Sequence, residues 1–187
     1  MKLSNESSHG EVGMPTSLLV SSKNVIYHAA KWIGIFSIVA MFLSLMSGVV
    51  VRYIWSTNLG WVTEVPNLLF PWLTMGAIVA AAARNEHIGI ELLVEKLPTT
   101  LRKLVIVGVN VIAMVAFAVI SLRGLDVVEI AGSQRLPITK IAMSWAYWSI
   151  VAGFVALSIV SLLNVLIVII GGDEFSKPPI SHGEDGI

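Results

Sequence analysis

The side chains able to do chemistry are few in this sequence, and most of those in its middle stand at the two ends of one stretch, Trp61 to Glu91. Glu64 opens it, and Arg84, Glu86, His87 and Glu91 close it, with about a bilayer's width of apolar residues between. An active site built on such groups needs a nucleophile held beside its base. None is signalled: His9 and His182 lie in the terminal segments, His28 and His87 at the edges of apolar runs, and no Ser is placed near any of them. His28 and His87 could instead be the two axial ligands of a b-type haem in a respiratory membrane anchor, since both are expected at the same ends of adjacent helices. The plainer reading is an interfacial histidine hydrogen-bonded to nearby carboxylates, and a purified protein without a Soret band would exclude the haem. There is no cysteine, which removes disulfides, thiolate metal sites and a Cys nucleophile.

The elements that must position these groups are set by composition. Of 187 residues, 56% are hydrophobic and 13% charged, with mean hydropathy +0.83. The charged share is roughly half of the ~25% usual in soluble domains, and the apolar residues come in long runs, so the chain is a polytopic membrane protein. Formal net charge is zero, leaving no basic field for nucleic acid.

The expected fold is all-α, with four transmembrane helices. Residues 1–31 read as a largely mobile N-terminal tail, because the apolar cluster Leu18-Leu19-Val20 is too short for a signal peptide. The first span, 32–51, is uncharged and long enough for the ~30 Å hydrocarbon core at ~1.5 Å per residue. Its Ala40, Ser44 and Gly48 form a small-residue stripe suited to close helix approach. Arg52, Tyr53 and Trp55 anchor its end at the interface. The second span, 62–83, is expected to start with Thr63 as cap and Glu64 at the positive end of the helix dipole. Pro71 should kink it, and Gly76 with Ala80 to Ala83 makes its second half slim.

Between the second and third spans, Ile90, Leu93, Val94 and Leu97 share one helical face and Glu91 and Glu95 the other, which predicts an amphipathic helix lying in the interface. The third span, 104–122, holds Asn110, expected to bond to a neighbouring helix, and Arg123, Asp126 and Glu129 carry the helix onward. The fourth, 143–170, is headed by Trp145, Tyr147 and Trp148 and is long enough to require tilt or protrusion. Residues 171–187 read as a mobile C-terminal tail. None of the spans carries an ionisable group near its centre, which a carrier or proton pump working alone would need.

Trp61-x-x-Glu64, Trp72-Leu73-x-x-Gly76-Ala77, Arg84-x-x-His87-Ile88-x-Ile90-Glu91 and Leu97-Pro98, followed by Gly132-x-Gln134-Arg135-x-Pro137 and Met143-x-Trp145-x-Tyr147, resemble the small membrane subunit (DctQ-like) of tripartite ATP-independent periplasmic (TRAP) transporters. The resemblance covers roughly residues 30 to 170. It departs from the family where a second acid often precedes Glu64 and this chain has Thr63, and at Pro66-Asn67, where an Ala-Arg-like pair is common. The resemblance implies a non-enzymatic subunit, with no cofactor of its own, beside a large (DctM-like) membrane subunit. That partner's elevator domain would carry a small organic acid, of carboxylate or sulfonate class, with sodium ions, after capture by a periplasmic substrate-binding protein. This chain would brace the partner against membrane lipids in the bacterial inner membrane. Arg52, Trp61, Glu64, Trp72, Arg84, His87, Glu91, Gln134, Arg135 and Trp145 then become structural or interface residues. Within that set, Arg52 is an expected partner of Glu64, and Arg84, His87 and Glu91 an expected polar cluster on one helical face. The alternatives are the haem- or quinone-associated anchor and a free-standing small carrier.

Counting Lys and Arg orients the chain. Lys2, Lys23, Lys31, Arg84, Lys96, Arg102, Lys103 and Lys177 lie on one side, against Arg52, Arg123, Arg135 and Lys140 on the other. The richer side is cytoplasmic by the positive-inside rule, so both termini are expected inside. A reporter that works only in the cytoplasm, fused after Ile187, should be active; a fusion active only outside the cell overturns the orientation.

Overall fold

The computed structural model describes residues 14–55, 60–84 and 99–170. They form four helices: α1 (Met14–Trp55), α2 (Trp61–Ala83), α3 (Thr99–Gly132) and α4 (Ser144–Ile170). Each is long and apolar enough to cross a membrane, as the apolar runs predict. Among the described residues the only non-helical pairing is an isolated antiparallel bridge, Arg135 with Ala142, in the turn between α3 and α4. The predicted interfacial helix at 88–97, His87, Glu91 and the C-terminal segment lie outside the described residues.

The helices overrun the predicted spans. α1 has 42 residues, about 63 Å at ~1.5 Å per residue. It begins at Met14, so residues 14–31, expected as tail, are largely helix. The reason is packing: Ile26 and Ala30 lie against Met75, Val79 and Leu157 in the core cluster, giving this segment an apolar seam to bury. α3 has 34 residues and carries Arg123, Asp126 and Glu129 within its last turns, as their spacing predicts.

α1 and α2 run antiparallel, α3 and α4 likewise, and α2 and α1 pack on α4, while among the described helices α3 packs along α4 alone. Lipid tails are as apolar as Leu, so burying apolar side chains between helices gains little here, and close backbone approach matters more. The crossings are accordingly marked by small residues. A methyl group added at Gly76 of α2 would sit 2.9 Å from the Ala30 carbonyl oxygen and 3.2 Å from the Gly34 nitrogen of α1. One added at Gly48 would meet Val62 at 2.6 Å, and the Ser44 hydroxyl donates to the Val62 carbonyl at 3.3 Å. Ser44 and Gly48 of the predicted stripe thus supply an α1–α2 contact.

α2 passes through Pro66 and Pro71 as one continuous helix. Its first turn differs from expectation: Gly60, not Thr63, occupies the N-cap, and the Thr63 hydroxyl donates back to the Gly60 carbonyl at 2.8 Å. A side chain at Gly60 would collide with Ile138, so the turn between α3 and α4 settles directly on the start of α2.

Overpacking a tight crossing costs ~1–3 kcal/mol, whereas Gly to Ala in an open helix position is neutral or gains up to ~1 kcal/mol. Gly76→Ala should therefore lower the thermal midpoint of the detergent-purified protein, and Gly108→Ala, which meets nothing within 4 Å, should leave it unchanged or raise it.

Candidate functional site

Two polar centres stand at opposite ends of the bundle. At the end where α3 turns into α4, Glu64 lies in the first turn of α2 with only 3% of its surface exposed. Its carboxylate accepts three hydrogen bonds from the α3–α4 turn: the Ile138 amide at 2.7 Å, the Thr139 amide at 2.8 Å and the Thr139 hydroxyl at 2.7 Å. A carboxylate offers about four acceptor positions, so three donors nearly saturate it. The turn is shaped to present them. Leu136 is buried, its amide donates to Ile141 at 3.0 Å, and Lys140 adopts a left-handed backbone (φ 57) while donating to Leu136 at 3.1 Å.

Arg52, expected to face Glu64, is exposed, with its guanidinium 5.8 Å from the ring centroid of the adjacent Tyr53. The reason is geometric: a folded turn brings rigid amide donors to the carboxylate, where a long cation at the end of α1 would have to reach inward. Arg135 does not touch Glu64 either. Its guanidinium donates to the Lys140 carbonyl at 3.3 Å, bracing the same turn, and the Gln134 carbonyl accepts from Met143 at 2.9 Å. Just inward, the half-buried Trp72 indole donates to the Trp145 carbonyl at 3.1 Å, joining α2 to the head of α4. Trp61 and the Trp145 side chain are exposed, in keeping with membrane-interface anchors.

At the far end a second chain of bonds crosses three helices. The Lys23 amine of α1, 8% exposed, donates to the Asn164 side-chain oxygen of α4 at 2.7 Å. The Asn164 amide donates to the Asn110 side-chain oxygen of α3 at 3.3 Å, and the Asn110 amide to the Ile106 carbonyl at 2.9 Å. The expectation that Asn110 bonds to a neighbouring helix is met. Lys23 enters the sequence reading only through the charge count, yet Lys23, Ala30, Ser37 and Ser44 are all buried at a seven-residue spacing that marks one seam of α1. That period was the available signal. Ser121 donating to Val151 at 3.3 Å and Ser158 to Met114 at 3.2 Å add two further ties between α3 and α4.

Beside this chain, Arg84 caps the C-terminus of α2 and lies with its guanidinium 4.3 Å from the Tyr27 ring centroid. Arg84 is the C-cap residue of α2, and His87 and Glu91, its expected companions, lie outside the described residues. The described residues hold no group of three or more His, Asp or Glu that could bind a metal.

A multi-pass membrane protein whose polar groups tie helix to helix is thus the class that fold and site define. Residues 41–170 match the family model for tripartite ATP-independent periplasmic transporters, DctQ component, and the chain belongs to that family. It is a transporter subunit, of a family that is not enzymatic. Among relatives, it is 21% identical over 138 residues to a putative TRAP transporter small permease protein of Haemophilus influenzae, covering 74% of this chain and 84% of that one. It is 28% identical over 109 residues to the C4-dicarboxylate TRAP transporter small permease protein DctQ of Vibrio cholerae, covering 58% of this chain and 38% of that protein. An uncharacterised protein, y4mM, of Sinorhizobium fredii is 29% identical over 155 residues, which are 82% of this chain and 29% of the relative. The chain thus spans well under half the length of two of these three.

Glu64→Ala removes the acceptor of three donors and should lower thermal stability and expose the 133–143 turn to protease. Asn164→Leu, which strips Lys23 and Asn110 of a partner, should cost roughly 1–3 kcal/mol and more than Asn110→Leu. Unfolding midpoints of the three variants check the order.

Proposed function

We propose that this chain is the non-catalytic scaffold subunit of a sodium-coupled secondary transporter importing a small organic acid. The observation that carries the reading is the uncharged middle of the bundle. Residues 32–51, 65–83, 104–122 and 144–170 contain no Asp, Glu, Lys, Arg or His, whereas cargo and coupling ions are bound near the bilayer midplane by polar groups and broken helices. Glu64 at one end, and Lys23 with Asn164 and Asn110 at the other, are engaged in fastening the helices together. The cargo site and the sodium sites then belong to a large DctM-like membrane subunit, and the substrate arrives on a periplasmic binding protein.

The name of the Vibrio relative makes a C4-dicarboxylate one candidate cargo within the carboxylate or sulfonate class. Bracing of an elevator-type partner is supported by the broad apolar surfaces of α1 and α3, among them Trp32, Phe36, Leu43, Leu104 and Ile112. They suit contact with a second membrane chain on one side and lipid on the other. The bacterial inner membrane, with both termini in the cytoplasm, is the location this role requires.

Liposomes holding this chain alone should take up no organic acid. Liposomes that also hold the co-purified large subunit, supplied with the binding protein and a sodium gradient, should accumulate it. Uptake by the chain alone, or failure of any large membrane protein to co-purify in mild detergent, overturns the reading.

A further inference from the structure

α2 turns toward the membrane a face unlike those of its neighbours. The outward faces of α1 and α3 carry large apolar side chains such as Phe36, Phe42, Leu104 and Ile112, which suit contact with lipid tails. On α2 the exposed positions include Thr63, Asn67, Phe70, Thr74, Ala77 and Ile78, and their spacing of three and four places them on one side of the helix. The opposite side is taken: Gly76 meets Ala30 and Gly34 of α1, and Met75 meets Gly153 of α4. Two of the three polar side chains on the outward face are satisfied within their own segment, the Thr63 hydroxyl by the Gly60 carbonyl and the Thr74 hydroxyl by the Phe70 carbonyl at 3.0 Å. The Asn67 side chain makes no hydrogen bond to any described residue.

The backbone at Asn67 has the same need. A proline inside a helix leaves the carbonyl four residues earlier without its amide donor, and α2 holds two, Pro66 and Pro71. For Pro66 that carbonyl belongs to Val62, and the Ser44 hydroxyl of α1 supplies a donor at 3.3 Å. For Pro71 it belongs to Asn67, and no side chain among the described residues donates to it. Asn67 stands six residues inward of the interfacial Trp61, about 9 Å at ~1.5 Å per residue. Its side chain is too short to reach back to the headgroups as a Lys or Arg would. Lipid tails offer neither donor nor acceptor, so an amide and a carbonyl left facing them are costly.

We propose that this face of α2 is the docking seam for a transmembrane helix of the large membrane subunit, one that carries Ser, Thr, Asn or Gln at the level of Asn67. Such a side chain gives the Asn67 carbonyl a donor and the Asn67 amide, which both donates and accepts, a partner. Thr74 and Ala77, one and two turns further in, are small enough for the two backbones to approach. The inference rests on the reading of this chain as one subunit of a larger membrane assembly. It places the closest helix contact on α2 and leaves the apolar surfaces of α1 and α3 for broader contact and lipid.

The full chain is co-expressed with the large subunit, and the photo-crosslinking residue p-benzoylphenylalanine replaces Phe70, Phe36 or Ile112 in turn. Membranes are irradiated, and each product is read by mass and by separate tags on the two chains. Phe70 should join to the large subunit. Asn67→Leu should cut the fraction of large subunit retained in mild detergent roughly three- to tenfold, the worth of one interhelical hydrogen bond. The same variant should leave the thermal midpoint of this chain purified alone unchanged or higher, which separates a lost contact from a lost fold. Large-subunit products from Phe36 or Ile112 with none from Phe70, or a Phe70 product with lipid or a second copy of this chain alone, overturn the seam and leave the scaffold reading standing. Undiminished retention with Asn67→Leu, or a lowered midpoint of the isolated chain, overturns the seam as well. If no large membrane protein co-purifies with the unmodified chain, both readings fall.

Discussion

The Glu64 carboxylate holds the bundle together in a way that no apolar contact can in lipid. Water drives apolar surfaces together in a soluble protein; in a bilayer the surrounding solvent is itself apolar, and the gain from burying a Leu between helices is small. Ordinary interhelical hydrogen bonds average about 0.6 kcal/mol in this setting, so the two serine ties between α3 and α4 amount to little beside total stability. A carboxylate with three donors, on a turn that would otherwise swing free, is a stronger fastening, because breaking it strands one charge and three polar groups at once. The close crossings at Gly76 and Gly48 keep the helices near enough for it to act.

Much of this was legible in the sequence. Long uncharged runs set the spans, since only a helix about 20 residues long satisfies its own backbone across the hydrocarbon. The close approach at Ser44 and Gly48 and the bonding of Asn110 to a neighbour followed from chemistry local to one helix. What was not legible is which distant group completes a pair. Glu64 is an evident interfacial acid, and Arg52 the nearest cation in the chain, but two of its three donors are backbone amides at 138 and 139, and amides carry no signature of their own in a sequence. The start of α1 was misplaced for a related reason. Lys23 reads as the end of a membrane span when taken alone, and becomes an interior residue only when Asn164, 141 positions away, is there to receive its proton donor.

The two centres differ in kind. The Glu64 centre is acceptor-poor and donor-rich around a single carboxylate, closed and local. The Lys23 chain is a relay through three helices. Between them the spans carry no ionisable side chain. That division suits a chain that holds a shape while charge moves elsewhere, since a buried ionisable group in the middle would have to be solvated or paired afresh at each change of the surroundings.

The bonds at Glu64 also order events during biogenesis. Its donors lie 74 and 75 residues further along the chain. When α1 and α2 have entered the membrane as a first hairpin, those donors have yet to be made, and Glu64 waits at the water interface with its carboxylate hydrated. It gains its partners only after α3 and α4 have inserted as a second hairpin and the turn between them has folded against Gly60. The last contact to form on that face thus registers that all four spans have been threaded in the right sense, and a chain with a reversed second hairpin would carry the turn on the wrong side of the bilayer and leave the acid exposed.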